Sequence, residues 1–182
     1  MHEVLEGHGG HGGQGEHEEG SLTMPVTVTL SILAVLVAMV TLLGHRAHTE
    51  ELLLQAKASD QWAYFQAKNI RLRETQSVAD ILGALAPADK EKTAALHEKY
   101  LTEVKRYEKE KDQIGDQAKD FEKERDLVQR RADRYDAGEV FLEIGLIICS
   151  FTLLTKKKGF WFAGIVLGLV GVITAASGIL LH

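Results

Sequence analysis

The chain has 182 residues, 45% of them hydrophobic, with 21 basic and 26 acidic side chains and a net charge of −5. Its mean hydropathy is only −0.08, because the apolar residues are pooled into three blocks around a strongly charged stretch, a segregation that excludes an ordinary soluble globule. A single cysteine, Cys149, excludes both an intrachain disulfide and a cysteine-based metal cluster.

Residues 1–25 read as a disordered tail, rich in Gly, His and Glu and too poor in apolar residues to bury a core. Glu3, Glu6, Glu16, Glu18 and Glu19 stand there without any Lys or Arg. With no basic n-region and no A-x-A cleavage site, the segment does not match a signal peptide. His2, His8, His11 and His17 offer imidazoles to nickel, copper or zinc. Their spacing is irregular and glycine-padded, so a solvated acidic tail is the plainer reading, and no cofactor is expected.

Residues 26–44 form the first of three apolar runs long enough to cross a hydrocarbon core of about 30 Å at about 1.5 Å per helical residue. The others are 137–155 and 160–182, joined by a basic loop at 156–159 that carries Lys156, Lys157 and Lys158. Gly164, Gly168, Gly171, Ala175 and Gly178 follow one another at 4,3,4,3 spacing, and the second span places Gly138, Gly145, Cys149 and Thr152 on one face. In lipid such small faces let helices approach closely and gain dispersion contacts. The second and third spans are therefore expected to pack as an antiparallel pair.

Between the first two spans, residues 45–136 read as a helical hairpin. No Pro and no Gly interrupts the first arm before Gly83. The turn is placed near 83–89, where Pro87 biases Ala86 out of the helical region and Asp89 is a natural N-cap with Glu91 in the next first turn. In the second arm Tyr100, Val104, Tyr107, Lys111, Ile114, Ala118, Phe121, Arg125, Val128, Ala132 and Tyr135 keep strict 4,3 spacing. An apolar repeat averaging 3.5 residues is the requirement of a coiled coil. Lys111 and Arg125 interrupt it; snorkelling to the rim, meeting carboxylates of the facing helix, or a solvated lapse in the seam all fit. The first arm shows a looser stripe of Leu54, Ala58, Phe65, Leu72, Ala79 and Leu82, suited to an antiparallel partner. So thin a hairpin, extending on the order of 60 Å, leaves aromatic surface at Trp62, Tyr64 and Phe65, which argues for a homo-oligomer. Its charges are of both signs and interspersed, with no basic stripe for nucleic acid.

The segment SDQWAYFQAKNIR at 59–71, preceded by HRAHTEELLLQAKA, resembles the hallmark of a bacterial membrane-protein family known as domain of unknown function 4337. The resemblance extends over nearly the whole chain: the His/Glu-rich tail, a span ending in Gly44 and His45, the motif, a charged coiled coil, and two spans joined by a short basic loop. It implies an all-α membrane protein and brings no activity, substrate or catalytic residue with it.

Within that motif Asp60, Gln61, Trp62, Tyr64, Phe65, Gln66 and Lys68 form a dense polar and aromatic patch. Trp62 and Phe65 are one turn apart, and Gln61, Phe65 and Lys68 share a face, so aromatic anchoring and a polar rail coexist on one helix. Interhelical packing is the leading use, a small-molecule or peptide site between subunits the other. No nucleophile stands with a base, and no phosphate-binding loop occurs, so no enzymatic activity is expected. His45 and His48, one turn apart, are weak metal candidates that also serve as ordinary interfacial anchors. Glu143, inside the second span, is either an ion- or proton-handling group or a carboxylate reaching the headgroups beside Glu139.

These readings converge on an oligomeric three-span protein of the bacterial inner membrane, scaffolding partners through its hairpin. The alternative is a small ion or proton channel, or a transporter accessory subunit, using Glu143 and glycine-lined helices. Partners are the bilayer, further copies of the chain, and other membrane or envelope proteins. Counting the short basic loop as cytoplasmic puts the hairpin outside, although Arg46, Arg130, Arg131 and Arg134 pull the other way.

Overall fold

The computed structural model describes residues 15–84 and 90–181, with side chains from Thr23 onward. The protein is all-helical: α1 spans Gly15–Ala84, α2 spans Lys90–Thr155 and α3 spans Lys158–Ile179, so two of the three helices are very long. Each contains an 18-residue window apolar enough to cross a membrane, a composition compatible with a multi-pass membrane protein.

Two element boundaries differ from the sequence reading. The composition predicts a disordered tail to residue 25, yet α1 begins at Gly15 and carries Pro25 inside it. Once the apolar run has nucleated a helix, adding residues at its N-terminal end costs far less than nucleation does, and the helix carries Pro25 although the ring removes one backbone donor and crowds the carbonyl four residues earlier. Residues 1–14, with His2, His8 and His11, lie outside the described residues, as do Ala86, Pro87 and Asp89 of the expected hairpin turn. The basic loop is shorter than four residues, since α3 already includes Lys158 and Gly159. The chain turns at Lys156, which adopts a left-handed conformation with φ 58°. Lys156 N donates to Thr152 O at 2.8 Å, and Phe160 N to Lys157 O at 3.3 Å. At its other end α3 stops at Ile179, with Leu180 as its C-cap.

The chain divides into two compact units, Met1–Arg46 with Arg130–His182, and Ala47–Gln129. In the first, α2 and α3 run antiparallel with their glycines interlocked. A Cβ added at Gly164 would stand 2.7 Å from Cys149 Cβ and 2.8 Å from Gly145 O, and one at Gly171 would stand 2.8 Å from Gly138 O. Leu142 and Cys149 are fully buried in this packing. α1 lies along both partners. Trp161 Nε1 donates to Thr29 Oγ1 at 3.0 Å, Leu33 fills the space beside Gly168, and Thr41 Oγ1 donates to Glu139 Oε1 at 2.6 Å.

In the second unit the arms of α1 and α2 run antiparallel, pairing Gln55 with Arg125, Trp62 with Glu122, Lys68 with Glu110, and Gly83 with His97. Ala58, Ala79 and Ala118 are essentially inaccessible, with Leu54, Leu72, Ile114 and Val128 buried among them.

Candidate functional site

The SDQWAYFQAKNIR segment lies wholly on α1 inside the hairpin unit, and only Gln61, Trp62, Phe65, Lys68 and Asn69 of it are partly buried, the rest being exposed. Trp62 packs edge-on against Phe65 at 5.4 Å between ring centroids and donates its indole N–H to Glu122 Oε1 at 2.9 Å. The Phe65 ring sits where Gly115 presents no side chain, so that a Cβ on Gly115 would approach it to 3.2 Å. Gly115 in mid-helix gives up helix propensity, and the ring it admits explains its presence.

Lys68 is the electrostatic centre of the patch. Its Nζ lies 2.6 Å from Glu110 Oε2 and faces the rings of Tyr107 at 5.3 Å and Tyr64 at 5.5 Å. The hydrogen bond to Glu110 raises the Lys68 pKa against the opposing effect of burial. The same hydrogen bond lowers that of Glu110, with Arg106 adding a smaller electrostatic contribution. Arg106 stacks over Tyr107 at 4.9 Å from its ring centre and pairs with Glu103.

The two charged interruptions of the α2 seam have distinct partners. Arg125 Nη1 donates to Gln55 Oε1 across the hairpin at 2.6 Å, while its other nitrogens hold Asp126 on its own helix. Lys111 lies 5.9 Å from the Phe65 ring centre and 3.3 Å from Asp112. Across the hairpin Arg125 hydrogen-bonds an amide and Lys111 faces an aromatic ring, while the Glu51 carboxylate of α1 adds a smaller electrostatic pull on Arg125. Tyr100, Val104, Tyr107 and Phe121 are half-buried in the seam, whereas Tyr135 belongs to the other unit, packed beside Gly44 and Gly178.

Asp60, Tyr64 and Gln66 are exposed. Gln61 is turned inward, and its Oε1 is buried without a hydrogen-bond partner. Full 4,3 spacing along α1 passes through Gln61, Lys68 and Thr75 as well as the apolar stripe. Sequence reasoning missed that continuity because it counted apolar side chains only.

A family model matches residues 22–181. The chain belongs to the family described as domain of unknown function (DUF4337). No curated protein and no solved structure matches it.

The remaining candidates of this DUF4337 chain are dispersed. Glu143 is exposed, on the side of α2 away from the interlocked glycines. Gly164, Gly168, Gly171, Ala175 and Gly178 are all buried, Gly168 against Leu33 and the others against α2. His45 is exposed and His48 Nδ1 lies 3.4 Å from Glu51 Oε2. Among the described residues no three His, Cys, Asp or Glu side chains converge as a metal site would require.

Proposed function

We propose that this DUF4337 protein is a non-enzymatic, multi-pass component of the bacterial inner membrane, whose coiled-coil hairpin assembles copies of the chain and presents a docking surface for other envelope proteins. The observation that supports this reading is the use made of the motif: Trp62 and Lys68 spend hydrogen bonds on Glu122 and Glu110 of α2, and the Phe65 ring packs beside Gly115 of α2. A residue set committed to helix–helix contact suits a structural element, because large aromatics and buried polar pairs fix register and partner choice. The short basic loop favours an extracytoplasmic hairpin.

Trp62→Ala tests the proposal. Loss of the indole contacts is expected to lower the melting temperature of the chain in detergent and to dissociate copies, read as a fall in the mass of the complex in nanodiscs. Wild-type melting and an unchanged mass would remove the scaffold reading. A parallel flux assay in liposomes is expected to show no difference between the wild type and Glu143→Gln; ion flux present in the first and lost in the second would replace the scaffold by a conduit.

A further inference from the structure

We draw no further inference here: the strongest candidate, the basic side-chain cluster of Lys156, Lys157 and Lys158 at the turn into the N-terminal end of α3, rests on exposed lysines and a helix N-terminus alone, and among the described residues no second observation points to a ligand.

Discussion

Two buried oxygen atoms make sharp single-residue predictions. Gln61 Oε1 and Thr152 Oγ1 are both enclosed without a hydrogen-bond partner, and Thr152 is only 2% exposed. Stripping water from an unpaired polar atom costs about 1–3 kcal/mol, and replacing the group by an apolar one of like shape removes that cost. Gln61→Met and Thr152→Val are accordingly expected to raise the melting temperature of the full chain in detergent, followed by circular dichroism at the helical bands; a drop for either would show that its oxygen is paired in solution. The ion pair at Lys68 gives a dependence on pH with two limbs. Glu110 has a pKa lowered in the fold, so its contribution is complete above its unfolded value of about 4.3 and is lost as pH falls through the folded value. Lys68 has a pKa raised in the fold, so its contribution is complete below about 10.4 and is lost as pH rises through the folded value. Hairpin melting is expected to weaken at both extremes, and Glu110→Gln to flatten the acid limb relative to the wild type.

At the scale of elements, the glycines of α2 and α3 divide by what surrounds them. Gly164→Ala drives a Cβ against backbone and against Cys149 Cβ, neither of which can yield, and is expected to cost about 1–3 kcal/mol. Gly168→Ala meets only the flexible end of Leu33, so Leu33→Ala should rescue it, whereas no side-chain truncation rescues Gly164→Ala. Gly159 has open space around it, and Gly159→Ala is expected to be neutral or to stabilise by up to about 1 kcal/mol through helix propensity. Denaturation of the purified variants in detergent ranks the three. Both the 4,3 glycine repeat of α3 and the heptad seam of α2 were legible in the residues, because a 3.5-residue period survives in one-dimensional text. The seam face of α1 was legible only in part: Gln61 and Lys68 occupy seam positions through a ring contact and an ion pair, which no count of apolar residues registers. The pairings of Trp62 with Glu122 and Arg125 with Gln55 were not legible at all, since they depend on the relative register of two arms separated by dozens of residues.

For the molecule as a whole, the proposed membrane reading predicts an extracytoplasmic hairpin. Lys90 is exposed at the start of α2, near the far end of the hairpin arms. In intact cells, Lys90→Cys in a Cys149→Ala background is expected to react with a membrane-impermeant maleimide, in keeping with cytoplasmic retention of Lys156, Lys157 and Lys158. Protection until lysis would place the hairpin in the cytoplasm and redirect the search for partners to cytosolic complexes. The 4,3 register has a further consequence, for how the length of such a hairpin can change in evolution or by design. α1 bears one stripe against α2 and α2 another against α1, and both advance by the same step. Inserting a whole heptad into each arm at matching heights lengthens the hairpin and returns every stripe to its former direction. Inserting a single turn swings the distal part of both stripes off their partners, so natural length variants should differ by multiples of the heptad, added to both arms together.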